Sequence, residues 1–150
     1  MSVRKIGSFQ LGKTRRLFQL QKRTLPKIIG NDAKNFFLEG FRKGGFTDKG
    51  LIKWAPRFKR LSRTRVSTTE REPSKLFLSG KLRRSVKRRI ATFKRIVIGT
   101  SGITYASRHN LGLTDRLGRK MPQREFIGDS KVLEKKIERR IFKELDKVFK

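Results

Sequence analysis

Apolar positions toward the C-terminus recur with helical spacing. Leu133, Ile137, Ile141, Leu145 and Val148 follow at intervals of four, four, four and three, which sets them on one face of a helix from Ser130 to the end. Asp129 or Ser130 stands where an N-cap belongs, because a short side-chain oxygen there accepts from the free amides of the first turn. The opposite face is dense in Lys and Arg, with Glu134, Glu138, Glu144 and Asp146 as solvated counter-charges. Near the other end, Leu17, Leu20, Leu25 and Ile28 approximate the same spacing between basic residues from Leu11 to about Ile29. Phe36, Phe37 and Phe41 mark a second helical stretch, ended by Gly44 and Gly45. Pro26 has no amide hydrogen and predicts a break near Thr24–Leu25. Gly30-Asn31-Asp32 reads as a stop and restart, with Asn31 or Asp32 as the new N-cap. These two stretches are expected to form a bent helix or a helical hairpin.

Between the two ends the pattern shortens. Ile96-Val97-Ile98 is the clearest buried-strand segment, closed by Gly99 and the turn-prone Ser101-Gly102. Residues 86–93 and 95–100 are expected to pair antiparallel, although Phe93-Lys94-Arg95 is a poor hairpin turn. Phe126-Ile127 reads as a short extended element, and Gly112 to Met121 as a polar loop. Residues 46–75 look irregular. Within them, 57–75 has few apolar anchors and is expected to be a mobile basic loop, and residues 1–10 a polar lead. The predicted class is α+β: a small antiparallel β-sheet packed with the N-terminal bent helix or hairpin and the long C-terminal helix. Residues 1–150 are expected to form one domain, long enough to bury roughly two-thirds of its unfolded surface.

Charge changes this picture more than composition does. The chain has 41 Lys+Arg against 12 Asp+Glu, a formal net charge of +29, far beyond what solubility requires. A partner with a continuous negative surface, or an electrically mixed assembly, accounts for it better than an acidic small molecule. The absence of Cys excludes disulfides, thiolate metal sites and Cys nucleophiles, and a single His, His109, excludes multi-His zinc motifs. No apolar run reaches the ~18 residues of a membrane span, and the first residues lack the apolar stretch of a signal peptide, so a soluble intracellular product is expected.

Catalytic constellations are hard to assemble from these residues. Gly7-Ser8-Phe9-Gln10-Leu11-Gly12-Lys13-Thr14 satisfies the phosphate-loop pattern, but that chemistry needs a buried strand before the loop and a parallel sheet around it. Only six residues, among them Arg4 and Lys5, precede Gly7. His109 lacks a nucleophile or carboxylate arranged around it and reads as a structural His. The cations are concentrated instead: five Lys/Arg in the nine residues 57–65, and eight in the fifteen residues 81–95. Phe58, Phe77 and Phe93 lie among them as core residues or as stacking surfaces for unpaired bases. Counterion release would give such segments nucleic-acid affinity without sequence reading.

Several short motifs then follow one another in a recognisable order. They are Trp54-Ala55-Pro56, Leu76-Phe77-Leu78-Ser79-Gly80-Lys81-Leu82-Arg83-Arg84-Ser85, Val97-Ile98-Gly99-Thr100, Tyr105-Ala106-Ser107-Arg108-His109-Asn110-Leu111-Gly112, and Met121-Pro122-Gln123-Arg124-Glu125-Phe126-Ile127-Gly128. From about Phe36 to the end, this order resembles the phage virion morphogenesis family, the tail-completion or head–tail joining proteins of Mu-like tailed bacteriophages. Asn110 stands where members of that family more often have Gln, a departure expected to touch little. The 57–75 segment is unusually long and cationic for the family.

The resemblance implies a small α+β subunit that acts by assembly, with no enzyme activity, cofactor or metal. Such a protein is expected in the virion, at the neck or head–tail junction, after synthesis in the host bacterial cytoplasm. Its implied partners are further copies of itself in a ring, the neighbouring connector, tail terminator and tail tube proteins, and packaged DNA by non-specific contact, with no membrane. Motif residues would then have architectural roles. Gly80, Gly99 and Gly112 would permit turns; Tyr105 and His109 would lock the following loop by hydrogen bonds; Pro122, Arg124 and Phe126 would fix an extended segment. Trp54, beside Pro56, would anchor the loop start, with Leu82, Ser85 and Ala106 completing the motif. Arg57, Lys59, Arg60, Arg63, Arg65, Arg83, Arg84, Lys87, Arg88 and Arg89 are candidate DNA- or partner-facing residues. The alternative is a basic nucleic-acid-binding module, such as a ribosome-associated protein.

Overall fold

A computed structural model describes residues 11–55, 76, 79–114, 117–118 and 120–149. Its element order is α1 (Leu11–Lys43), β1 (Gly45–Thr47), β2 (Leu51–Lys53), α2 (Lys81–Ser85), β3 (Val86–Ala91), β4 (Ile96–Thr100), α3 (Ala106–Leu111) and α4 (Lys131–Phe149). The class is α+β, with two separate two-stranded antiparallel sheets where one small sheet was expected.

The expected break in the N-terminal helix does not occur. α1 is one helix of 33 residues with Pro26 inside it. Leu25, Ile29, Ala33, Phe37 and Phe41 are all buried, an unbroken stripe at intervals of four that crosses Pro26 and Gly30. Packing of that stripe outweighs an interior proline, which costs about 3 kcal/mol when nothing compensates. Gly30 marks a close approach, not a stop. A Cβ there would lie 3.1 Å from Cγ of Arg88 and would collide with its Cδ. Arg88 Nη1 instead lies along the helix and donates to the Lys27 carbonyl and to Asn31 Oδ1, each at 3.0 Å. Asp32 is no N-cap; it pairs across to α4, accepting from Arg140 Nε at 2.8 Å.

The segment expected to be irregular from residue 46 opens with a hairpin. β1 and β2 pair with Gly45 opposite Lys53 and Thr47 opposite Leu51. Gly44, at φ 66°, ends α1 in the left-handed region, and its carbonyl accepts from the Trp54 amide at 2.9 Å. Backbones approach so closely here that a Cβ on Gly40 would sit 2.8 Å from the Gly45 carbonyl oxygen.

β3 and β4 pair antiparallel, as their sequence indicates. Arg88 faces Ile98 and Ile90 faces Val97, so Arg89 is the extra residue of a bulge. The poor turn sequence closes because Thr92 and Arg95 exchange backbone hydrogen bonds at 2.9 and 3.2 Å, and the Thr92 hydroxyl also donates to the Arg95 carbonyl. Phe126-Ile127 forms no strand, and the 112–121 loop carries one bridge, between Thr114 and Lys120.

α4 begins with all of its first amides satisfied. Ser130 Oγ accepts from the Leu133 amide at 3.2 Å, and the Ser130 carbonyl from Glu134. The remaining two amides reach the turn between β1 and β2: Lys131 donates to Asp48 Oδ1 at 3.0 Å and Val132 to the Asp48 carbonyl at 3.3 Å. Further along, Glu144 is buried instead of solvated; Lys147 Nζ lies 2.8 Å from its Oε2 and Arg140 Nη1 3.9 Å from its Oε1.

Candidate functional site

The motif residues converge on the closed end of the fold. The Phe41 and Trp54 rings meet edge to face at 5.4 Å, and Phe126 joins Phe41 at 5.5 Å. Each such pair contributes about 0.5–1.5 kcal/mol beyond the area it buries. Leu82, Val86, Ala106 and Leu133 belong to the same cluster, as do Ala33, Phe37, Phe46 and Leu76. Trp54 Nε1 donates to the Glu125 carbonyl at 2.6 Å, and buried Arg124 donates from Nε to the Ala55 carbonyl at 3.0 Å. These two bonds tie the chain just after β2 to the chain just before α4. Ser85, also buried, donates its hydroxyl to the Leu82 carbonyl at 2.7 Å.

Asn110 is the residue that sequence reasoning passed over. Its Oδ1 accepts from the amides of Phe126 and Ile127 at 2.9 and 3.1 Å, and its Nδ2 donates to the Ile127 carbonyl at 2.9 Å. One side chain thus pairs three backbone groups of 126–127, which belong to no sheet and lie in a bend instead of the expected extended element. The departure expected to touch little is a clamp. A polar residue in the last turn of a short helix, two before a glycine, was the available signal.

Tyr105 precedes α3, and its ring meets His109 edge to face at 5.7 Å. The His109 carbonyl accepts from the Arg124 amide at 2.7 Å, a backbone link from α3 to the following segment. Gly80 and Gly112 adopt φ of 67° and 66°, whereas Gly99 lies within β4 without positive φ, and a Cβ there would make only ordinary contact. The turn expected at Gly99 is therefore absent. Pro122 is half-buried beside this segment.

Among the candidate partner-facing cations, Arg84, Lys87 and Arg89 are exposed, and Arg83 is half-buried. Lys87 and the bulged Arg89 lie on the side of the β3–β4 ribbon opposite Arg88, which is engaged with α1. Lys94 and Arg95 extend the exposed charge to the ribbon tip. Residues 73–114 contain no Asp or Glu, so nothing in this stretch neutralises it. Pro56 and the cations Arg57, Lys59, Arg60, Arg63 and Arg65 lie outside the described residues, as does the whole expected 57–75 loop.

Chemistry-bearing clusters are sparse. Burial, followed by the nearby charges of Asp129 and Asp48, raises the carboxyl of Glu125 above its usual range. Among the described residues no group of acids and His could hold a metal, and no helix is long and apolar enough to cross a membrane. The phosphate-loop pattern begins outside the described residues. Its Gly12-Lys13-Thr14 part opens α1, and both described sheets are antiparallel, so the parallel sheet such a loop requires is not among them.

A second surface lies between α1, the β3–β4 tip and α4. It is an apolar groove of about 600 Å³ whose walls include Phe18, Leu25, Phe93, Ile96, Ile137 and Ile141.

No curated protein and no solved structure matches the chain. The model of the phage virion morphogenesis family matches residues 50–146, from the β1–β2 turn to the last turns of α4, and leaves α1 outside. The matched stretch holds Trp54, Arg124, Phe126 and the Asn110 clamp, the residues that close the core. The chain belongs to the phage virion morphogenesis family, and its role lies in building the phage virion.

Proposed function

We propose that this protein is a ring-forming neck subunit of a tailed phage, acting in head–tail joining or tail completion. The family match carries the reading, and the placement of most motif residues inward and the cations outward supports it. The motif residues are consumed in holding one small subunit together, while Arg84, Lys87, Arg89, Lys94 and Arg95 remain on its surface. A ring of such subunits, closed by a heterologous interface, encircles a channel with the economy of one repeated contact. The cationic ribbon then faces packaged DNA or acidic neighbours such as connector, terminator or tube proteins, and its contacts weaken with salt.

Electron microscopy of the purified full chain, together with light scattering, tests the ring. Rings of uniform diameter are expected, and a monomer at every accessible concentration would overturn it. In the phage, removal of the protein is expected to leave filled heads and tails unjoined or tails unfinished. Complete infectious particles without it would also reject the assignment.

A further inference from the structure

Among the described residues, the groove between α1, the ribbon tip and α4 is a core open on one side. Leu25, Ile29 and Ala33 of α1 form its floor, and Ile96 and Ile141 stand on opposite sides. At the open end the rings of Phe18 and Phe93 are 39% and 60% exposed. Lys22 Nζ lies 5.0 Å from the Phe18 ring and 5.8 Å from the Phe93 ring, so an ammonium bridges two of the walls.

Charge on two of the three walls has one sign, and α4 adds seven Lys and Arg against four carboxylates. Residues 1–31 contain no Asp or Glu, and neither do residues 73–114, so the floor up to Ile29 and the whole ribbon wall carry cations alone. Arg15, Lys22, Lys94 and Arg95 are exposed near the open end. On α4, Glu144 is already buried against Lys147 and Arg140. An occupant therefore needs an apolar face and carboxylates beside it. The same charge disfavours the chain's own segments 1–10 and 56–75, both net basic. It disfavours a second copy too, because α4, which holds the most carboxylates yet is itself net basic, already turns its apolar stripe toward α1. Duplex DNA offers charge but no apolar face to fill the floor.

We infer that this groove docks an acidic amphipathic helix from another protein, its apolar stripe on Leu25 and Ile29 and its carboxylates against Lys22, Lys94 and Arg95. From Phe18 to Ala33 the floor is roughly 22 Å long, which accommodates about four helical turns. The floor on α1 lies outside the family-matched residues, whereas the ribbon-tip and α4 walls lie inside them, and the inference stands without the ring.

Peptide binding to the full chain tests it, read by fluorescence anisotropy at about 0.15 M salt, where long-range attraction is screened. The probe is a labelled Leu/Glu peptide of about 16 residues with Leu at helical i, i+3, i+4 and i+7 spacing. The control is the same composition shuffled to destroy the stripe. The striped peptide is expected to bind at least about tenfold more tightly than the shuffled one. Phe93→Ala and Ile141→Ser are each expected to weaken it about tenfold, while Arg89→Gln, on the far face of the ribbon, leaves it within about twofold. Phe93 is mostly exposed, so its variant keeps the wild-type melting temperature even if Ile141→Ser does not. Equal binding of the shuffled peptide would reduce the effect to charge and overturn the inference. So would wild-type binding by Phe93→Ala, a short DNA duplex whose affinity the groove variants lower equally, or self-association abolished by Phe93→Ala.

Discussion

The two ends of the α1–α4 pair are built from the same helices and finished differently. At the closed end, Phe41, Trp54 and Phe126 are 2–4% exposed, and every early amide of α4 has a partner. At the open end Phe93 stands largely in water and Phe18 partly so, and α4 and the ribbon flank a groove instead of meeting. Completion at the first end comes from segments inserted between the helices: the β1–β2 turn, α3 and the irregular 121–130 segment. The other end receives no such insert from the described chain. Stability and docking are thus divided along one helix pair, and a substitution's effect depends on which end it touches.

Phe41→Ala should show the largest effect, a loss of about 3–5 kcal/mol, because it removes the ring shared by Trp54 and Phe126. Urea unfolding measures it, and a loss below about 1 kcal/mol would mean that the two ends are alike. Asn110→Ala should cost about 1–3 kcal/mol by leaving the Phe126 and Ile127 groups unpaired. Hydrogen exchange should then quicken at those two amides before any in β3. Ser130→Ala is expected to cost about 1 kcal/mol as a lost N-cap, with Asp48→Ala comparable, and the pair should be non-additive because both serve the same turn of α4.

Glu125→Gln sharpens the comparison through pH. The folded carboxyl of Glu125 is raised above its unfolded value by burial and by Asp129 and Asp48. The native state therefore holds its proton more tightly, and this contribution is fully present below the unfolded pKa. It is lost as pH rises through the elevated folded pKa. The variant should melt slightly above wild type at neutral pH, and the gap should close in acid. A gap that widens in acid contradicts the assignment. Smallest of all, Phe93→Ala should change stability by less than about 0.5 kcal/mol while weakening peptide binding.

Local signals were readable in the sequence and distant ones were not. The α4 stripe and the Ser130 cap are set by residues within a few positions of each other, as is the β3–β4 pairing. The β1–β2 hairpin escaped because each strand has only three residues, too few for alternation to register. Pro26 and Gly30 misled because propensity describes an isolated helix, whereas α1 is held from two sides; the interval-four stripe from Leu25 to Phe41 already ran across both. Asp48 capping α4, and Asp32 paired with Arg140, depend on residues 83 and 108 positions apart. Only topology brings those together. The family likeness was readable as motif order, but the role of Asn110 was not, because its three hydrogen bonds reach residues 16 and 17 positions away.

The distance between Asp32 and Arg140 also sets a schedule for the protein's synthesis. α1 can coil as soon as it clears the ribosome, but Arg140 of α4, the last helix to pack along it, arrives 108 positions after Asp32. At roughly 5–20 residues per second, that is on the order of 5–20 s during which an apolar, cation-rich helix lacks its mate. Over that interval its positive charge keeps nascent chains apart and leaves the stripe free for α4.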